Sequence, residues 1–168
     1  MAGEAVHEGV HEGVHEEVVV TALYVARDRH GPMQARRTIE VEAGAGIVGD
    51  RFHGSRHRHV SVQSDEGLAD AARRLGRPIP PASTRRNVTI SGPVPRGPGV
   101  RLKVGEVLLE VVRVAAPCPI MERSVGPGAQ EALRHRAGSV LRALTSGTIA
   151  LGDAVVTDEP TLDLEVQP

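Results

Sequence analysis

Val100-Arg101-Leu102-Lys103-Val104-Gly105-Glu106-Val107-Leu108-Leu109-Glu110-Val111-Val112-Arg113-Val114 is the stretch that decides the fold. Two apolar, β-branched runs, 100–104 and 107–114, flank Gly105-Glu106. A two-residue Gly-X connection between apolar runs signals a β-hairpin with a type II′ turn. Similar short runs recur on both sides of it. Residues 17–27, 37–41, 60–63 and 87–91 read as strands, and 139–144 and 148–156 as two closing strands on either side of Thr145-Ser146-Gly147. One segment has clear helical periodicity: Leu68, Ala71, Ala72 and Leu75 fall on one face. Ser64 or Asp65 caps that helix, and Gly76 with Pro78 stops it. Residues 127–135 read as a second short helix. The pattern predicts a mostly-β α+β domain, a β-barrel or folded sheet with one or two short helices. Strands and helices do not alternate regularly, which argues against a doubly wound sheet. The glycines of 44–49 have the wrong spacing for a dinucleotide loop.

The 168 residues suit one domain with a real core. Its apolar content comes from Val, Leu, Ile and Ala, because Tyr24 and Phe52 are the only aromatics. So few stacking platforms, with a formal net charge of −1, argue against nucleic acid as a partner. No apolar run is long enough to span a membrane, and no secretory signal pattern is visible, so a cytoplasmic location is expected.

Residues 6–17 repeat a four-residue unit, Val-His-Glu-Gly, in which a helix would line up His7, His11 and His15. Gly9 and Gly13 oppose that helix, and a frayed tail over residues 1–17 is expected instead of a metal site. The folded domain is expected over residues 18–158, followed by a loosely held tail, 159–168.

The residue of greatest chemical interest is Cys118, the single cysteine. Pro117 and Pro119 bracket it, restricting the backbone and presenting the thiol on a stiff loop after a strand. A lone thiol forms no internal disulfide, and the competing reading is a small buried hydrophobe. Arg85-Arg86-Asn87 opens a strand, with guanidinium forks suited to phosphate or carboxylate and an amide that donates and accepts. These too could be solvated loop residues. Asp50-Arg51 reads as a local salt bridge or capped turn, and Gly152-Asp153 as a tight turn. Arg56-His57-Arg58-His59, read as a strand, would put two histidines on one face, but the arginines repel a dication. Arg136 reads as an anion contact or a helix-end charge. No Ser/His/Asp grouping is recognisable.

Taken in order, these motifs resemble the MOSC family, the domain at the C-terminus of molybdenum cofactor sulfurases. The likeness rests on Gly46-Ile47-Val48-Gly49-Asp50-Arg51, Ser64-Asp65-Glu66-Gly67-Leu68, Arg85-Arg86-Asn87-Val88, Pro117-Cys118, His135-Arg136-Ala137-Gly138 and Gly152-Asp153. The resemblance implies a mostly-β, barrel-like fold and a sulfur or molybdenum role for Cys118. It implies that Cys118 ligates molybdenum in a molybdopterin cofactor, or carries a persulfide delivered by a separate cysteine desulfurase. It also implies that Arg85, Arg86 and Asn87 contact the cofactor, with Ser64, Asp65 and Arg136 as further contacts. A thiolate serves both chemistries, as a nucleophile and as a soft ligand. A non-catalytic module that has kept the fold is the remaining alternative. Residues before Val18 leave no room for a desulfurase domain, so no pyridoxal phosphate is expected in this chain. A redox partner protein is expected if the cofactor is used for oxidoreduction. The Pro93–Pro98 loop departs from the family pattern and would alter the pocket rim.

Overall fold

A computed structural model describes residues 16–158. The His7/His11/His15 repeat and the tail after Asp158 lie outside the described residues. The chain forms β1 (Val20–Val25), β2 (Gln34–Ala35), β3 (Thr38–Glu42), β4 (Gly46–Ile47), β5 (Val60–Ser64), α1 (Asp65–Leu75), a 3-10 turn (Pro81–Thr84) and β6 (Val88–Ile90). It continues with β7 (Arg101–Val104), β8 (Val107–Val114), α2 (Pro119–Val125), α3 (Ala129–Ala132), β9 (Ser139–Ala143), β10 (Gly147–Ala150) and β11 (Val155–Asp158).

β7 and β8 pair with Val104 opposite Val107, so Gly105-Glu106 is a two-residue turn. Gly105 has φ 55° and Glu106 has no positive φ, the combination a type II′ turn needs. This hairpin lies within an eight-stranded sheet ordered β11-β7-β8-β9-β5-β6-β1-β2, and β10-β3-β4 forms a second sheet. Among the described residues only β5 and β6 pair in parallel, because α1 carries the chain back between them. The large sheet curls until Val19, just before β1, bridges Ala154, just before β11. Val, Leu and Ile side chains from both sheets fill the interior of the curl. Alternation shows in β7, where Leu102 and Val104 are buried and Arg101 and Lys103 exposed. A smaller core under the helices joins Leu68 and Ala71 of α1 to Met121 of α2 and Leu133 beyond α3.

The mostly-β α+β reading is therefore correct, and so is α1, whose Ser64 hydroxyl accepts a hydrogen bond from Gly67 N and which ends at left-handed Gly76. Four local readings need correction. The run 148–156 is not one strand: a turn at 151–154 splits it into β10 and β11, in different sheets. The second helix is α3 alone, shorter than 127–135, because Gly128 is left-handed. Residues 56–59 do not form a strand, and His59 ring nitrogens bond Ser55 O and Ala143 N instead of sharing a face with His57. Cys118 is not simply in a loop: it is the N-cap residue of α2, with Pro119 in the first turn. Proline suits that position because a helix start has no partner for the missing N–H.

Two contacts hold the helical end in place. Gly138 has φ 85°, and a Cβ there would overlap the carbonyl of Val62. The close approach sets the segment 137–139 against β5. The Glu122 carboxylate accepts from Gly128 N at 2.7 Å and Gln130 N at 2.6 Å, bracing α2 against the start of α3. These bonds, Gln130 first, hold the Glu122 carboxyl below its ordinary range.

Replacing Ser64 with Ala removes one cap bond and should cost about 1 kcal/mol. Gly138→Ala must displace backbone as well as adopt a left-handed φ, and should cost about 3 kcal/mol or more. Urea denaturation of the two variants checks the difference. For Glu122 the folded carboxyl is the stronger acid, so its stabilising effect is present at neutral pH and is lost as pH falls. The melting-temperature gap between wild type and Glu122→Gln should be largest near neutrality and close below about pH 4.

Candidate functional site

Asn87 is the starting point, because its amide is fully used. Its Oδ1 accepts from Ser61 N at 3.1 Å and Ser61 Oγ at 3.0 Å. Its Nδ2 donates to Tyr24 O at 3.1 Å and to Asp50 Oδ1 at 3.3 Å. An amide has two donor hydrogens and two acceptor lone pairs, so nothing is left for a ligand. Asn87 is buried and ties β5 and β1 to the loop carrying Asp50.

Asp50 in turn accepts from Ala26 N and Phe52 N and pairs with Arg51 at 3.1 Å. The side chains of Asp50 and Arg51 are 0% and 5% exposed, so this is a buried pair, not the surface bridge that local sequence suggests. Arg51 also donates to Arg85 O at 3.0 Å.

Arg85 stands at the C-terminal end of the 3-10 turn with φ 62°, a left-handed conformation unusual for a residue with a side chain. Its guanidinium donates to Gly31 O at 2.8 Å and Arg29 O at 3.1 Å, tying down the loop after β1. The next residue, Arg86, is directed inward and is 4% exposed. Its Nε donates to Ala137 O at 2.9 Å and its Nη2 to Ala116 O at 3.4 Å. No carboxylate pairs with it among the described residues. Burial, reinforced by the like charges of Arg58, Arg51 and Arg113, pushes its pKa down to about 10, so it is still charged at neutral pH. A thiolate at Cys118 acts in the opposite direction and favours the cation.

Arg58 completes the group. It lies over the Phe52 ring, 4.1 Å from the centroid, while Arg51 lies 4.7 Å from the same centroid. Its Nε is buried with no hydrogen-bond partner. Burial first, then Arg51 and Arg113, lowers its pKa from the usual arginine value.

Arg51, Arg58, Arg85, Arg86 and Arg29 line a cleft of about 220 Å³ that also contains exposed Cys118, with Met121 and Ile120 of α2 on its wall. The structure thus brings Cys118 together with Arg85 and Arg86. It places Ser64 and Arg136 elsewhere, on a larger groove of about 880 Å³ flanked by Ala115, Ala116 and Pro117. There the Ser64 hydroxyl is engaged by the helix cap, and the Arg136 guanidinium is engaged by Asp70. Pro93, Val94 and Arg96 of the proline-rich loop form part of that groove's rim. Asp65 opens α1 and lines neither cavity.

Sequence reasoning missed Arg51, Arg58 and Phe52 as parts of one site. Nothing in their spacing announces it, since residues 51–58 wind through turns and bends. The available signal was chemical: the chain's only phenylalanine lies beside arginines in sequence.

The arrangement can attract an anion and present a soft sulfur donor or nucleophile to it. A family model described as the MOSC domain matches residues 49–156. By sequence, no curated protein matches the chain. Among solved structures, YuaD from Bacillus subtilis superposes with a TM-score of 0.71 at 21% identity, covering 82% of this chain and 94% of that one. YiiM from Geobacillus stearothermophilus gives 0.68 at 16% identity, over 87% of this chain and 77% of that one. YiiM from Escherichia coli gives 0.61 at 14% identity, over 84% and 70%. At these identities the structural likeness speaks for the fold. The family model spans the Asp50-Arg51 pair, the Arg85-Arg86-Asn87 run and Cys118, and the chain belongs to the MOSC domain family, which is associated with molybdenum cofactor binding or sulfur transfer.

Proposed function

We propose that this chain binds molybdenum cofactor, as an oxidoreductase component or cofactor carrier, with the Cys118 sulfur as metal ligand. One observation carries the reading: the exposed thiol opens onto a cleft whose buried cations outnumber their carboxylate partner. The donor chemistry fits the group. Thiolate is a soft ligand suited to a soft metal centre. Arg86 and Arg58 have no acidic partner among the described residues, which suits the negative charge of a pterin phosphate. A cleft of about 220 Å³ is smaller than the several hundred Å³ that usually enclose a ligand of this kind. It therefore suits the anionic end and the metal, with the remainder of the cofactor outside the arginine cluster. When bound, the metal supplies two-electron redox chemistry.

The protein's own residues would hold the group and its charge. Arg86 is fixed by two backbone carbonyls, and Arg85 secures the rim by binding the loop at 29–31. A redox partner protein would deliver electrons. The second reading is a sulfur carrier, in which Cys118 accepts a persulfide from a separate cysteine desulfurase. The exposure of Cys118 at the cleft mouth supports it, since a donor protein must reach the thiol.

Protein purified from a cofactor-competent host should contain molybdenum and pterin. Cys118→Ser should lose most of the metal while melting at an unchanged temperature. Metal retained in Cys118→Ser removes Cys118 as ligand. Absence of metal together with persulfide labelling of Cys118 by a desulfurase selects the sulfur-carrier reading instead.

A further inference from the structure

We infer, on the reading that Cys118 is the working group of the cleft, that Gln63 is a positioning residue. Its buried amide clamps the turn before Arg85-Arg86 and so fixes Arg86 relative to the sulfur. This holds whether the thiol meets molybdenum or carries a persulfide.

Gln63 is fully buried, yet it is not apolar filler. Its Nε2 donates to Pro81 O at 3.1 Å and to Thr89 Oγ1 at 3.1 Å. Its Oε1 accepts from Thr84 Oγ1 at 2.6 Å. The Pro81 carbonyl can only accept, which settles which end of the amide faces it. Pro81 and Thr84 are the first and last residues of the 3-10 turn, so one side chain grips both ends. Burying an amide is costly unless its bonds are made. A methionine of similar length would bury without that requirement, but would leave the turn ungripped.

The clamp has a counterpart on the same strand. Ser61 and Gln63 are two residues apart on β5 and so share a face. Ser61 Oγ bonds Asn87, just after Arg86, and Gln63 holds Thr84, just before Arg85. One face of one strand therefore holds the Arg85-Arg86 pair from both sides. Left-handed Arg85, with φ 62°, needs such restraint, because that conformation persists only where its surroundings over-determine it. The turn also packs against α2, which starts from Cys118, and Thr84 and Met121 line the cleft together. Gln63 thus sets the piece of backbone that lies between the root of Arg86 and the helix carrying the sulfur. With the clamp released, Arg86 loses its fixed direction toward the carbonyls of Ala116 and Ala137.

The test uses the full chain, purified from a host that makes no molybdenum cofactor, so that Cys118 is free to react. As the single cysteine it is the only thiol to alkylate. Rate constants are measured for iodoacetate, an anion, and for iodoacetamide, its neutral analogue. Both react with the thiolate, so their ratio cancels the thiolate fraction and reads the field at the sulfur. In wild type the ratio should exceed that of a small free thiol. In Gln63→Met and in Thr84→Val it should fall by about threefold, as expected when a unit charge recedes by a few ångströms near a protein surface. The double variant should fall no further than either single one, because both remove the same clamp. Ser83→Ala loses a bond to Pro80 O in the same turn but none to Gln63, and should keep the wild-type ratio. A merely structural Gln63 predicts a lower melting temperature with an unchanged ratio in the folded protein, and that result overturns the proposal. So does a wild-type ratio no higher than that of the free thiol, or a Ser83→Ala ratio reduced as far as that of Gln63→Met. Should Gln63→Met not fold, Thr84→Val carries the same prediction alone. Metal content, measured separately on protein from a cofactor-competent host, keeps the two readings apart. A chain that takes no molybdenum but shows the fall in ratio upholds the clamp, and one that takes molybdenum with an unchanged ratio overturns the clamp alone.

Discussion

The fourfold hydrogen bonding of Asn87 is the constraint on which the site depends. Its amide joins Ser61 on β5, Tyr24 on β1 and Asp50 on the glycine-rich loop. Those three segments come from distant parts of the chain, and a buried network of this kind is favourable only when every member is satisfied. Because Asn87 holds Asp50, Asp50 can hold Arg51. Arg51 in turn receives its second anchor from the backbone of Arg85. The interior of the curled sheet thus sets the position of the cleft wall through polar bonds, while the apolar core beside it supplies most of the burial energy.

That network neutralises one arginine and leaves others without acidic partners. Such an arrangement makes little sense as a stabilising device. Buried ion pairs seldom add much stability, and an unpaired buried cation subtracts from it. Arg86 is accommodated by carbonyl dipoles from Ala116 and Ala137, and Arg58 by the face of Phe52. Carbonyl oxygens and a ring quadrupole lower the cost of burying a cation without cancelling its charge. Their field therefore stays directed at the cleft. Stability given up locally in this way is a recurrent mark of binding sites.

How much of this was legible beforehand follows from the range of each interaction. The β7–β8 hairpin, α1 with its cap and the mostly-β class depend on neighbours within a few residues, and local pattern reveals them. β2 and β4 are two residues long and exist only because partner strands lie beside them, so no periodicity announces them. The α2 helix was hidden by Pro119, which reads as a breaker yet suits a helix start. The site divides the same way. Cys118 and Arg86 stand out by residue type and by family resemblance. Arg58 could be found only in three dimensions, because a turn-rich segment and a stacked ring bring it to the cleft. Asn87 shows the opposite case: its motif draws attention to it as a contact residue, while only the structure shows that its amide is spent on Ser61, Tyr24 and Asp50.

The position of Cys118 adds a last consideration. As N-cap of α2 it has φ −133° and ψ 169°, an extended conformation that Pro119 also favours. The helix behind it is held by buried Met121 in the smaller core and by the Glu122 brace to the α3 turn. The sulfur is thus exposed but its backbone is not free to move. A nucleophile or ligand that must meet a fixed cationic cluster gains from this, because little conformational entropy is left to lose when the contact forms. The same anchoring separates two requirements that usually conflict. Cys118 can be reached from outside by a protein or cofactor, while Arg86, buried behind it, keeps a charge that solvent does not screen away. Exposure of the sulfur and burial of the charge are supplied by different elements, α2 and the start of β6, and the backbone carbonyl of Ala116 joins them through Arg86.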